Sequence, residues 1–190
     1  MKDGFQVGFV LLACLLIGCI ALPYAMATDQ EAEGQASEDN GWDIVFDGTS
    51  TDAIRDFRTD SFPKKGWSIE ADGSLRAQHG ARDIVTRKKY GDFDLRMEWK
   101  LSKGANSGIM YRVAQRGNHP HSTGPEYQII DDQRVHKSST ASLYGMIKPN
   151  EKAKINPAGE WNSSRIVIKN NQVRHYLNGE LVVEYVWGSE

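Results

Sequence analysis

Apolar and polar residues alternate along most of the chain after Gly41, and no apolar period of 3.6 residues persists long enough to predict a long helix. In Phe93–Leu101 the odd-numbered residues are apolar and the even-numbered residues are charged. Successive side chains of a strand point to opposite faces, so this pattern predicts a strand with one packed face and one polar face. Trp161–Lys169 alternates in a similar way and predicts a second long strand.

Turn signals divide the rest of the domain into further short strands. Asp72-Gly73 and Asn178-Gly179 each lie between two alternating runs, which is a strong hairpin signal. The segment Thr51–Phe57 is expected to form one short helical turn. The other predicted strands are Gly41–Gly48, Trp67–Glu70, Leu75–Gln78, Ile84–Thr86, Gly108–Val113, Glu126–Asp131, Ala141–Ile147, Val173–Leu177 and Leu181–Val186. About ten short strands of this kind predict an all-β fold, a two-sheet antiparallel sandwich or jelly roll.

The amino terminus has the pattern of an export signal. An apolar run from Val7 to Ile20 follows Lys2, and Ala25-Met26-Ala27 fits a small-residue cleavage site, so residues 1–27 are predicted to be a signal peptide. A lipoprotein signal with lipidation at Cys19 is a second interpretation. A retained membrane anchor is a third, although the apolar run is short for a span. All three predict a periplasmic, extracellular or membrane-anchored domain, with no other membrane contact.

Charge and cysteine content narrow the function of the remaining chain. Residues 28–40 hold five acids and no base, and we expect a disordered spacer there. The formal net charge is −2, and the domain at residues 41–190 is mildly basic without a basic run, so no nucleic-acid partner is expected. Cys14 and Cys19 both precede that domain, which therefore has neither a disulfide nor a thiolate metal site.

The polar strand faces between Gly91 and Asp132 are the candidate site. Met110 and Arg112 share one side of their predicted strand, and Glu126 and Gln128 share one side of the next. Acids, an arginine and amides on one face predict the floor of a cleft. The outer face of an antiparallel sheet is also often polar merely because it is solvated, so alternation alone leaves both interpretations open.

Six sequence segments, in order, resemble the 3-keto-disaccharide hydrolase family. They cover essentially everything from Gly41 onward. The segments are GWDIVFDGTS at 41–50, GDFDLRMEWKLSKGANSGIMYR at 91–112, GPEYQIIDD at 124–132, LYGMIKP at 143–149, AGEWNSSRIVIK at 158–169 and HYLNGELVVEY at 175–185.

This resemblance implies a concanavalin A-like jelly roll whose concave face receives a sugar. It also implies an exported bacterial protein, often a lipoprotein, acting on glycosides oxidised to a ketone at C3. Members of the family usually continue past the position of Glu190 into a closing segment with a Gln-Asp-His motif and a final Phe-Arg-Asn-Ile strand. We therefore expect this chain to lack its closing strands.

A ketone at C3 acidifies the hydrogen on C2, and the oxygen on C1 is then placed for β-elimination, followed by addition of water. Such a reaction needs a base at C2, a donor to the enolate and an acid for the departing oxygen. The candidate catalytic residues are Glu126 as base or acid, Arg112 as the enolate or ketone clamp, and Asp131 as a second carboxylate. The candidate substrate-binding residues are Asn106, Gln128, Glu98 and Tyr144.

Other interpretations stay open at this point. Direct hydrolysis of an unoxidised sugar by two carboxylates uses the same residue types. A non-catalytic, lectin-like carbohydrate-binding module is the alternative function, because a fold does not determine an activity. His119 and His121 resemble a metal-binding pair without a third ligand, so a solvated loop is favoured and no metal site is predicted. The sequence indicates no cofactor and no oligomeric state.

Overall fold

The structure, a computed structural model, describes the backbone of residues 4–8 and all atoms of residues 41–189. The rest of the predicted signal peptide and the spacer at residues 28–40 lie outside the described residues. The strands are β1 (Gly4–Gly8), β2 (Ile54–Asp56), β3 (Trp67–Ile69), β4 (Leu75–Gln78), β5 (Ile84–Thr86), β6 (Phe93–Leu101), β7 (Asn106–Met110), β8 (Glu126–Ile130), β9 (Trp161–Lys169), β10 (Gln172–Leu177) and β11 (Glu180–Val186).

These strands form three antiparallel sheets, which confirms the predicted all-β class. The largest sheet has seven strands in the order β11-β10-β9-β6-β1-β4-β3, and two small sheets pair β2 with β5 and β7 with β8. The helical content of the described residues is a single 3₁₀ turn at Pro120–Ser122. Within these residues no helix has the length and apolar character that crossing a membrane requires.

Strand β1 occupies the middle of the large sheet, where its backbone pairs with β4 on one side and β6 on the other. These residues belong to the segment that the sequence predicts to be an export signal. Removal of that signal would leave β4 and β6 on either side of an open strand position.

The main core lies between the large sheet and the small sheet of β7 and β8. Alternation along β9 buries Asn162, Ser164, Ile166 and Ile168 and turns their neighbours outward. Across the core, Tyr127 and Ile129 of β8 are completely buried. A second cluster joins Phe46, Ile54 and Leu75 beneath the sheet of β2 and β5. Burying apolar side chains of this size stabilises a fold by roughly 1.5–3 kcal/mol each.

Several predicted strands are confirmed, with ends shifted by a few residues. Phe93–Leu101, Ile84–Thr86 and Trp161–Lys169 match in full. Both predicted hairpins form, as β3–β4 and β10–β11. Register and burial also confirm that Trp99, rather than Glu98, faces the core.

Three predictions of secondary structure are wrong. Gly41–Gly48 is irregular, and it ends where Asp47 Oδ1 accepts hydrogen bonds from the backbone N–H groups of Thr49 and Ser50. Thr51–Phe57 contains β2 in place of a helical turn, because Ile54–Asp56 pairs with β5. Ala141–Ile147 forms only isolated bridges, since positive φ angles at Ala141 and Gly145 interrupt the extended backbone.

Candidate functional site

The sheet of β7 and β8 separates two environments. In its register Met110 pairs with Glu126, Gly108 with Gln128 and Ile109 with Tyr127. Directly paired residues share a face, so the side chains of Met110 and Glu126 lie on the face turned away from the main core. The opposite face carries Tyr127 and packs on the large sheet.

A chain of hydrogen bonds fixes the core side of β8. Trp99 Nε1 donates to Ser164 Oγ at 2.8 Å, and Ser164 Oγ donates to the Tyr127 hydroxyl at 2.8 Å. The Tyr127 hydroxyl donates in turn to the carbonyl of Tyr176 at 3.0 Å. Each buried donor therefore has an acceptor, which avoids the desolvation penalty of an unmade hydrogen bond. With Tyr127 held inward, its neighbour Glu126 must point outward.

Glu126 is half-buried, and its carboxylate has no hydrogen-bond or ion-pair partner among residues 41–189. Removal from water without a compensating positive charge raises the pKa of this carboxyl group above its usual value of 4.5. The carboxylate lies over Gly108 of the neighbouring strand, where a Cβ atom would collide with Glu126 Oε1. Glycine at position 108 thus creates the space that this carboxylate occupies.

Arg112 follows β7 in a strained backbone conformation. Its φ of 51° lies in the left-handed region, which non-glycine residues rarely adopt. This reversal ends the strand at Met110, earlier than the predicted end at Val113. The guanidinium carbon lies 5.7 Å from the centre of a Trp187 ring, within the range of a cation–π contact. Strain of this kind at an exposed arginine is typical of functional sites.

Glu126, Arg112 and Asn106 line one open cleft, which has a volume of about 1450 Å³. This space is ample for a disaccharide, since pockets for small ligands measure roughly 300–1,000 Å³. The other carboxylates of the cleft in the described part of the chain are each bound to a base or a backbone N–H. The pairs are Asp43–Lys88, Asp83–His119, Asp92–Asn170 N and Asp94–Arg165.

Tyr144 lies on the other side of Glu126 from β7. Its backbone N–H donates to the carbonyl of Glu126 at 3.0 Å, and the adjacent Leu143 forms a bridge with Tyr127. Leu143 is buried in the core with Tyr127, and the half-exposed Tyr144 begins the turn that follows. The described residues that line the cleft do not include Tyr144.

Three predicted site residues lie elsewhere. Gln128 shares the face of Glu126, but only 2% of it is exposed, and its Oε1 accepts a hydrogen bond from the backbone N–H of Ile129 at 2.9 Å. Asp131 lies beyond the far end of β8, where its carboxylate accepts from Gly104 N at 2.7 Å. Glu98 lies opposite Ser163 on the outer face of β6, because Trp99 occupies the core side.

These placements correct the predicted grouping. A sugar hydroxyl cannot reach the buried amide of Gln128 without displacing the segment that covers it. Asp131 is a turn residue about five strand positions from Glu126, or roughly 16 Å along an extended chain. Glu98 is separated from the cleft by its own strand. The structure brings Glu126, Arg112 and Asn106 to one cleft, and it places the backbone of Tyr144 beside that of Glu126.

Sequence reasoning missed several residues beside this group. Gly108 begins a predicted strand without a role of its own, although a glycine within an alternating strand signals close approach by another group. The sequence predicts no functional role for Trp187, because no local pattern links it to Arg112. His121 lines the cleft and stacks on His119 at 5.1 Å, while His119 binds Asp83 at 3.0 Å. No group of three or more His, Cys, Asp or Glu side chains suited to a metal ion occurs in the described part of the chain.

The described part of the chain is an all-β fold with an unpaired carboxylate, an arginine and an amide in one cleft, groups that suit a small polar ligand. The family model described as a 3-keto-alpha-glucoside-1,2-lyase-like domain matches residues 41–190. The chain belongs to this family. The resemblance noted in the sequence is thereby confirmed.

Known relatives agree with this assignment. A 3-keto-disaccharide hydrolase of Bacteroides thetaiotaomicron is 36% identical over 174 residues, which cover 77% of this chain and 59% of the relative. The chain thus spans less than two thirds of the length of that relative.

Two solved structures from Parabacteroides distasonis have similar folds, and both proteins are provisionally assigned as glycosyl hydrolases. The first is 35% identical with a TM-score of 0.70, covering 78% of this chain and 73% of the other. The second is 24% identical with a TM-score of 0.57, covering 70% and 72%, and it supports the fold alone.

Proposed function

We propose that this protein is an exported enzyme that cleaves the glycosidic bond of 3-keto-disaccharides or 3-keto-glycosides by abstracting the C2 proton, with elimination and subsequent hydration. The unpaired, half-buried carboxylate of Glu126 is the observation that carries this proposal. Family membership and the name of the Bacteroides relative support the substrate class. The predicted leader supports export, with lipidation at Cys19 as the other route to the same side of the membrane. The concanavalin A-like jelly roll is proposed as the complete fold.

The reaction consists of two balanced steps. A base removes the proton from C2, the electron pair forms an enolate with the C3 ketone, and the enolate expels the C1 oxygen to leave a C1=C2 double bond. The departing oxygen takes up a proton. Water then adds across the double bond, with its oxygen on C1 and a proton on C2, which yields the free 3-keto sugar.

Glu126 is proposed as the base at C2. Desolvation raises the pKa of a carboxyl group and makes its ionised form a stronger base, which favours proton abstraction from carbon. Glu126 is ionised only above its raised pKa, so the rate should rise with pH through a value above 4.5. After abstraction the protonated carboxyl group passes its proton to the leaving oxygen, and the proton that C2 later gains comes from water.

Arg112 and its neighbours are proposed to hold the substrate. The Arg112 guanidinium would donate hydrogen bonds to the ketone oxygen and stabilise the negative charge that develops there. The Asn106 amide is exposed at the start of β7 and would bind a sugar hydroxyl. The half-exposed ring of Tyr144, whose backbone N–H binds the carbonyl of Glu126, is proposed as a surface against which a sugar ring can pack.

The state of the other carboxylates favours elimination over hydrolysis by two carboxylates. Direct hydrolysis needs a second carboxyl group within roughly 5–9.5 Å of the first on the other side of the bond. Asp131 and Glu98 lie away from Glu126, and the other described acids of the cleft are already paired. Elimination from a 3-keto sugar requires only one base.

The test compares Glu126→Gln with the matched variant Glu98→Gln, which alters a carboxylate on the opposite face of the large sheet. Release of the aglycone from a 3-keto-glucoside should fall by about 10²–10⁴-fold in Glu126→Gln and stay close to wild type in Glu98→Gln. Equal turnover in all three proteins would contradict the proposal. Saturable sugar binding without turnover in the wild type would favour the lectin-like alternative.

A further inference from the structure

His175 lies in the centre of the core, on β10, and it is completely buried. Its Nδ1 is 2.9 Å from the carbonyl oxygen of Ala141, and its Nε2 is 2.7 Å from the hydroxyl of Tyr111. A carbonyl oxygen only accepts, so Nδ1 carries the proton and donates. The neutral ring then accepts at Nε2, which makes the Tyr111 hydroxyl the donor in that hydrogen bond.

This assignment also determines the next hydrogen bond. The Tyr111 hydroxyl lies 2.8 Å from the hydroxyl of Tyr185, and its only proton is already directed to His175. Tyr185 must therefore donate to Tyr111. The result is one directional chain from Tyr185 through Tyr111 and His175 to the carbonyl of Ala141, in which every member has its partner.

Two members of this chain, Tyr111 and Ala141, lie at strained backbone. Arg112, with a φ of 51°, directly follows Tyr111, and Ala141 itself has a φ of 68°. These are two of the five non-glycine residues with positive φ in the described chain. A left-handed conformation at a non-glycine residue persists only where the surrounding structure stabilises it. His175 forms a hydrogen bond with Tyr111, next to Arg112, and another with the carbonyl of Ala141.

The two backbone segments with positive φ, at Arg112 and at Ala141, flank the strand that carries Glu126. Tyr111–Arg112 lies at the end of β7 on one side, and the segment from Ala141 to Tyr144 runs along β8 on the other. The end of β11 completes the arrangement, because Tyr185 binds Tyr111 while Trp187, two residues further, lies against Arg112.

We propose that His175 is a positioning residue, whose two ring nitrogens set the Tyr111–Arg112 and Ala141–Tyr144 segments on either side of Glu126. This inference rests on the proposed function for the roles of Arg112 and Tyr144. The positioning itself is independent of any turnover, because it concerns where the Arg112 side chain lies relative to Trp187.

The test uses the full chain and follows the Arg112 Nε–H signal by NMR, assigned through its loss in Arg112→Lys. Tyr111→Phe and His175→Gln should move or broaden this signal, because the guanidinium leaves the field of the Trp187 ring. The ratio kcat/KM for a 3-keto-disaccharide should fall by about tenfold to a hundredfold, mainly through kcat, as expected for a displaced catalytic group.

Ser164→Ala is the matched control, because it removes two buried hydrogen bonds in the same core, from Trp99 and to Tyr127, and none from the chain that contains His175. It should lower Tm and leave the Arg112 signal unchanged. If His175→Gln does not fold, Tyr111→Phe, which keeps its ring and removes the hydrogen bond to His175 Nε2, provides the same readout.

An Arg112 signal that stays at its wild-type position in the folded Tyr111→Phe or His175→Gln variant would overturn the inference. A wild-type protein without turnover would instead contradict the proposed function, and the NMR result would still decide the positioning role.

Discussion

The two faces of β8 show how neighbouring residues in one short strand come to differ in chemistry. Tyr127 is buried with its hydroxyl bonded to Ser164 and Tyr176, whereas Glu126 is partly desolvated with no partner in the described chain. Desolvation raises the pKa of both groups. On the core side the polar atoms are satisfied and stabilise the fold. On the cleft side an unsatisfied carboxylate is available for a substrate.

The largest effect is expected from replacing that carboxylate. Glu126→Gln should lower turnover by about 10²–10⁴-fold and at the same time raise Tm at neutral pH, because the folded protein no longer holds a desolvated charge. Calorimetry of the variant and the wild type measures the second effect. A lower Tm in Glu126→Gln would mean that the carboxylate stabilises the fold, and the contrast between the two faces would then fail.

Gly108→Ala tests whether the position of the carboxylate matters as much as its presence. The added methyl group displaces the flexible Glu126 side chain, while the backbone at 108 can accept alanine. We expect kcat to fall by about tenfold to a hundredfold with little change in Tm. Gly91→Ala is the control, since a Cβ at position 91 has nothing within 4 Å. Equal activity in both variants would contradict the role of Gly108.

On the core side, the buried His175 should make the free energy of unfolding depend on pH. Burial lowers the pKa of His175 from 6.5 to about 4, so between these values the unfolded chain binds a proton that the folded chain does not. Stability should be full above pH 6.5 and fall by about 3 kcal/mol as the pH decreases to 4. Urea unfolding at several pH values measures this loss. His175→Gln should flatten the profile in that range, and an unchanged profile would contradict a neutral, buried ring.

A smaller effect is expected from Tyr127→Phe. This change leaves the hydroxyl proton of Ser164 without its acceptor and the Tyr176 carbonyl without that donor, which costs about 1–3 kcal/mol of unfolding free energy. The ring keeps its packing, so kcat should stay within a few-fold of the wild type. A loss of activity as large as that of Glu126→Gln would show that the two faces of β8 are not separable.

The sequence predicts most of the fold because alternation is a local property. Phe93–Leu101 and Trp161–Lys169 show their faces directly, and the Asn178-Gly179 turn identifies its hairpin. Gly41–Gly48 fails as a strand although it is apolar, since it pairs with no strand in the described chain. Ala141–Ile147 fails because two residues adopt positive φ, which no side-chain pattern indicates.

The site is predictable in part for the same reason. Alternation assigns Glu126 and Gln128 to one face, but burial of Gln128 depends on a segment that follows twelve or more residues later. Alternation gives Asp131 the opposite parity to Glu126, and its carboxylate accepts a hydrogen bond from Gly104 N. The contact of Arg112 with Trp187 joins residues 75 positions apart, and only the fold brings them together.

The most direct test of the central claim is the fate of the C2 hydrogen when a 3-keto-disaccharide is cleaved in D₂O. If Glu126 removes this hydrogen, the released 3-keto sugar should carry one deuterium at C2, well above the level in an enzyme-free control, and Glu126→Gln should not accelerate its formation. Cleavage by the wild-type protein with C2 still carrying hydrogen would contradict the account.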